Sequence, residues 1–241
     1  VGSPDKVALM LIAAHLLALG VSLMIFAWMF YLQRRAQLRH PRDLPSQFFY
    51  SYADSFPQRP SCWLAIRSVS PESVKDALGI NRAAPCTWTE GMAGGHEFFI
   101  SPQVHGWVIV TGLGLPSPTD DVDACFLFLT AMSRQLGHVQ FFQADRLLHH
   151  HAWARLDEGY VTRAYAWTGA AVWQQGIETL PEIEIGVKTF GYGDNRATMT
   201  DAEMNFEKVP QLAARWSLDP AEVKLNSVRQ SIGIAGESAR F

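Results

Sequence analysis

The order of hydrophobic and polar positions divides this chain into stretches of different character. Val7 to Leu32 carries no formal charge between Lys6 and Arg34. Rising about 1.5 Å per residue, a helix of that length extends roughly 39 Å, more than the ~30 Å hydrocarbon core of a bilayer. The pattern predicts a transmembrane helix. A cleaved signal peptide fits less well, because it needs a basic leader, a shorter apolar core and small residues at its end. Here Lys6 is the sole basic residue ahead of the run, and Trp28, Met29, Phe30 and Tyr31 close it.

From 33 to 61 the chain reads as a connector. Pro41, Pro45, Pro57 and Pro60 interrupt any helix, and Phe48, Phe49, Tyr50, Tyr52 and Phe56 are too aromatic for a purely solvated linker. A folded domain is expected over 62–225. Its first strand is read at Trp63–Val69, and its first helix is bounded by Ser70, Pro71 and Gly79 in cap, first-turn and terminating positions. CTWTEGM, HEFFIS and GWVIVTG read as successive strands, being rich in aromatic and β-branched residues.

Val122, Cys125, Phe126, Leu129, Met132 and Leu136 recur at helical spacing and predict a second helix over Asp121–Leu136. HVQFFQA, LLHHHAWARL and YVTRAYAWT follow as strands, the last two joined by a hairpin at Glu158-Gly159. Further on, Thr179 with Glu182, Thr200 with Glu203, and Asp219-Pro220 with Glu222 suggest helix starts. Residues 226–241 are small, polar and weakly periodic, and are expected to form a flexible tail. The fold class read from this pattern is α+β: one N-terminal transmembrane helix, then a mixed, mainly antiparallel-sheet domain.

Charge sets an expected orientation. Arg34, Arg35, Arg39 and Arg42 follow the apolar run while Lys6 alone precedes it, which predicts residues 1–6 outside and the domain in the cytoplasm. The same four arginines are candidate contacts for anionic lipid headgroups. A formal net charge of -3, with no cluster of basic residues beyond that segment, argues against nucleic acid as a partner. Cys62, Cys86 and Cys125 make an odd count without a close C-x-x-C pair, so neither a zinc site nor a redox dithiol is indicated.

Four features bear on chemistry. His149 and His151 would share a face if His149-His150-His151 lay on a strand, as two imidazoles on one metal require, with His138, His96, His105 or Glu97 as a third ligand. Stacking and cross-strand hydrogen bonding beside Trp153, Arg155, Tyr165 and Trp167 is the competing role. Gly112-Leu113-Gly114-Leu115-Pro116 lacks the Gly-Lys-Ser/Thr of a phosphate loop and is expected to be a turn. No nucleophile signature surrounds any serine or cysteine. His15, beside the small-residue strip Ala14, Ala18 and Ser22, is the candidate contact with a neighbouring membrane helix, tetrapyrrole ligation being the lesser alternative.

These features favour a non-catalytic accessory or assembly subunit of a membrane protein complex, with its domain docking on partner subunits and no cofactor or metal assigned. The alternative is a membrane-tethered metal-dependent hydrolase using His149 and His151.

Overall fold

In the computed structural model the chain divides into a unit of residues 1–54 and a unit of residues 55–241. The described residues are 59–67, 69–145, 147–194, 199–228 and 231–238, with Gly20, Ser22 and Met24. The fold below is that of the second unit.

Among the described residues nine strands form one sheet. Along the chain they are β1 (Cys62–Arg67), β2 (Ile80–Cys86), β3 (Phe98–Ile100), β4 (Trp107–Thr111), β5 (Val139–Asp145), β6 (His150–Asp157), β7 (Tyr160–Trp167), β8 (Ala171–Gln175) and β9 (Gly233–Ser238). Their order across the sheet is β2-β9-β3-β4-β1-β5-β6-β7-β8, and every pairing is antiparallel. The helices are α1 (Pro71–Leu78), α2 (Trp88–Met92), α3 (Val122–Leu136), α4 (Leu180–Ile185), α5 (Met199–Trp216) and α6 (Leu225–Val228).

Both faces of the sheet are buried around β1, which explains why that strand reads as a continuous apolar run rather than an alternation. Leu64 and Ile66 of β1 join Val108, Val110, Val139 and Phe141 against α1 and α3. Trp63 and Ala65 join Ile109, Phe142, Trp153 and Tyr165 against Val209, Leu212 and Ala213 of α5. The register extends these contacts into a row of aromatic rings across the second face: Trp63 pairs with Phe142, Phe142 with Trp153, and Trp153 with Tyr165.

Local signals place several elements where the sequence predicts them. Ser70 caps α1 by accepting from the Ser73 N–H, and Gly79 ends it in the left-handed region at φ 65°. Asp121 caps α3, and Glu158-Gly159 turns β6 into β7. The Gly112–Leu115 stretch is a turn. Gly112 has φ 142°, and a Cβ there would sit 2.2 Å from the Glu97 carbonyl oxygen, so the chain approaches β3 too closely for any side chain.

Other expectations are corrected. The α+β class with a membrane anchor gives way to a nine-stranded antiparallel sheet carrying few helices. Among the described residues no helix is long and apolar enough to cross a membrane, which overturns the single-pass anchor, the N-outside topology and the cytoplasmic assignment resting on it. The prediction relied on the length and hydropathy of one apolar run, a necessary but insufficient condition for a span. Of that run Gly20, Ser22 and Met24 are described, all helical and exposed. Ala14, His15 and Ala18, and Arg34, Arg35, Arg39 and Arg42, lie outside the described residues.

CTWTEGM is not a strand. Thr87 and Glu90 close a reciprocal capping box that starts α2 one residue after β2 ends. Thr200 and Glu203 fall inside α5 instead of opening it, and Asp219 caps a single 3-10 turn at Pro220–Glu222. The expected tail over 226–241 contains β9, an interior strand between β2 and β3. Its small residues are a packing requirement: a Cβ on Gly233 would lie 2.4 Å from the Ile100 carbonyl oxygen.

Candidate functional site

The register places polar residues in two rows at one end of the second face, past the aromatic row. The outer row runs Trp107, Arg67, His138, Asp157: Arg67 pairs with Trp107, its N–H donates to the His138 carbonyl at 3.1 Å, and the His138 ring bonds Asp157. The inner row runs Ile109, Ala65, Gln140, Arg155, Arg163. Strand periodicity alone puts His138 with Gln140, and Arg155 with Asp157, on one face.

Hydrogen bonds fix the protonation pattern. The Gln140 side-chain amide donates to His138 Nε2 at 2.8 Å and to the Trp216 carbonyl at 3.3 Å. His138 therefore carries its proton on Nδ1 and donates it to Asp157 Oδ1. Both ring nitrogens are thus engaged, Nδ1 with Asp157 and Nε2 with Gln140. Trp107 meets its ring edge-on at a centroid separation of 5.6 Å, and the Arg67 guanidinium lies 5.9 Å over Trp107.

From Trp216 the network continues inward. Its indole N–H donates to Thr179 Oγ1 at 3.3 Å, and that hydroxyl donates to Glu182 Oε2 at 2.8 Å. Glu182 is fully buried and also accepts from the Thr179 N–H at 2.6 Å, the Trp153 indole at 2.7 Å and Arg163 Nε at 2.9 Å. A chain of polar contacts thus runs from the Asp157–His138 pair under the end of α5 to the root of α4.

The helix rooted there is inverted. In LPEIEI the central glutamate faces the core, while Leu180 is 66% and Ile183 61% exposed, and Ile177 just ahead of the helix is 89% exposed. A surface helix ordinarily buries its apolar stripe and solvates its charges. Here an ion pair to β7 fixes the inner side, Ile185 packs against the core at the helix end, and Leu180 and Ile183 are displayed.

The sequence-predicted histidines do not meet. His149 is in the β5–β6 turn at φ 55°, and β6 begins at His150, so His149 and His151 do not share a strand face. His151 is a core residue stacked among Trp153, Tyr165 and Trp167. Its Nδ1 donates to the His149 carbonyl and its Nε2 accepts from Asn205, and burial holds its pKa down to about 4. His138 stands at the far end of β5 from His149, roughly 20 Å away at the ordinary strand rise.

His96 Nε2 lies 3.7 Å from Cys86 Sγ, His105 sits in a turn at φ 50°, and Glu97 accepts from the Ser238 N–H. Among the described residues no three His, Cys, Asp or Glu side chains gather into a metal-holding group. Burial pushes the thiols of Cys62 and Cys86 up and that of Cys125 to about 12, the opposite of an activated nucleophile.

Three buried atoms of the inner row, Gln140 Oε1, Arg155 Nε and Arg163 Nη2, have no hydrogen-bond partner among the described residues. Each such group costs about 1–3 kcal/mol. Sequence reasoning missed this cluster because its members lie far apart along the chain, although their shared parity on adjoining strands was readable.

The fold and this site define an antiparallel-sheet domain with an inverted surface helix. Compared with known protein families, with curated proteins and with solved structures, the chain finds no match.

Proposed function

We propose that this domain is a non-catalytic docking module that binds a partner protein through the outward side of α4. The carrying observation is the inversion itself: Ile177, Leu180 and Ile183 are exposed while Glu182 of the same turn is buried in an ion pair with Arg163. Folding gains nothing from three exposed aliphatic side chains, whereas association recovers about 25 cal/mol for each Å² of apolar surface they lose to water. Rigid presentation adds to this, because a helix already fixed at its base loses little conformational entropy on binding.

A metal-dependent hydrolase built on His149 and His151 lacks its geometric premise, since the two rings are not side by side. The docking reading is tested by replacing Ile177, Leu180 and Ile183 with Ser in the full chain. Its stoichiometric partner should be lost while the unfolding midpoint holds. Retention of the same partner by that variant overturns the reading.

A further inference from the structure

Gln140 meets His138 through its amide nitrogen, 2.8 Å from Nε2. An amide nitrogen can only donate, so this contact needs a lone pair on Nε2 and holds only while the ring is neutral. A second proton on the ring sets two donors face to face. The same side chain carries the remedy. Its other end atom, Oε1, is a buried acceptor with no partner among the described residues. Turning the terminal amide over exchanges nitrogen for oxygen, two atoms of nearly equal size, so Gln140 at 1% exposure needs no cavity for it. The exchange is felt at α5. The Gln140 amide nitrogen also donates to the Trp216 carbonyl at 3.3 Å, and after the exchange an oxygen faces that carbonyl instead.

We propose that His138 and Gln140 form a proton-operated switch at the end of α5. With a neutral ring, the amide nitrogen holds both His138 Nε2 and the Trp216 carbonyl; with a charged ring, Nε2–H donates to Oε1 and the Trp216 carbonyl is let go. Histidine is the side chain whose charge ordinarily changes between about pH 5 and 8, and the His138 side chain is 14% exposed, enough to exchange protons with solvent. Charges on each neighbouring element bear on it. The Asp157 carboxylate of β6 accepts from Nδ1–H and favours the second proton. Arg155 of β6, paired with Asp157 at 4.0 Å, and Arg67 of β1, over Trp107, oppose it. In the turns beside the ring, Glu158 donates its N–H to the Gly137 carbonyl and Arg134 of α3 lies against Gly159; on α5, Arg215 is paired with Glu184. The charged ring gives Oε1 a charge-assisted bond, about twice as strong as the neutral one it replaces, which offsets the lost Trp216 contact. The Trp216 indole N–H donates to Thr179 Oγ1, so the change is passed to the residue that precedes α4. Only this last step bears on the docking reading; the switch itself stands without it.

Nitrogen NMR of the labelled full chain, followed from about pH 8 to about pH 5, reads the switch directly. At the upper limit a scalar coupling across the hydrogen bond should join Gln140 Nε2 to His138 Nε2. As the ring takes its second proton that coupling should vanish, and the Gln140 amide and Trp216 indole resonances should move with the midpoint of the ring itself. His151, held down to about 4 by burial, stays largely neutral in this range and is not the source. In His138→Asn both resonances should lose that titration. In Gln140→Met the ring should still titrate while the Trp216 indole stays in place. A coupling absent at the upper limit, a ring that stays neutral to the lower limit, or Gln140 and Trp216 resonances that do not follow the ring overturns the proposal, whether or not either variant folds. Leu180→Ser with Ile183→Ser should leave the titration intact, so failure here and failure of the docking reading are separate results.

Discussion

Glu182 accepts hydrogen bonds from three residues at once, and that is what makes its burial tolerable. Taking a carboxylate and a guanidinium out of water costs several kcal/mol per ion. The carboxylate recovers this through Trp153, Thr179 and Arg163, while Arg163 Nη1 donates to the carbonyls of Ala164 and Gln175. Removing one partner leaves the other charge stranded. Glu182→Ala should therefore cost about 3–5 kcal/mol in urea unfolding; a loss below 1 kcal/mol would contradict the assignment of this pair as the root of α4.

His151 makes the second prediction at this scale. Burial lowers its pKa from 6.5 to about 4 in the folded chain. Between those values the unfolded chain binds a proton that the native state refuses, so stability is complete above pH 6.5 and falls as pH drops towards 4. The full effect is about 3 kcal/mol. Urea midpoints measured from pH 7 to 4 should fall more steeply for the native chain than for His151→Gln. Parallel curves would show that the ring protonates in place.

At the scale of elements, α4 separates stability from display. Because Leu180 and Ile183 are mostly exposed, replacing both with Ser should change stability by no more than about 0.5 kcal/mol, measured by thermal unfolding. The sheet edges are managed differently. On β2, Pro85 withholds a donor. On β8, the Tyr192 hydroxyl accepts from the Gln174 N–H at 2.8 Å, closing a main-chain group that would otherwise invite another strand. Tyr192→Phe should leave the fold intact and speed hydrogen exchange at the Gln174 amide; unchanged exchange would remove Tyr192 from that role.

Elements with strong local chemistry were legible from the chain alone. Ser70, Pro71 and Gly79 mark α1, the helical spacing from Val122 to Leu136 marks α3, and the hairpin at Glu158-Gly159 joins β6 to β7. β8 and β9 were not. β8 is five residues long, and β9 is built of small residues because Ile100 crowds Gly233 from the adjoining strand, a constraint that exists only after folding. The inversion of α4 was half visible: the Thr179–Glu182 cap could be read, but not that the same carboxylate would face Arg163.

Across the whole domain, one continuous sheet supports both surfaces of interest. α1 and α3 cover its first face; α5 covers the second as far as Trp216, where the polar rows and the root of α4 begin. The polar contacts from His138 to Glu182 tie that end of the sheet to the helix, so α4 is displayed by the domain as a unit. A site-specific photo-crosslinking residue at position 180 tests this claim most directly, with position 127 on the outer side of α3 as the exposed control. The account predicts one discrete protein adduct from position 180, lost on Ile183→Ser, and none from position 127. No adduct at 180, or the same adduct from both positions, would contradict it.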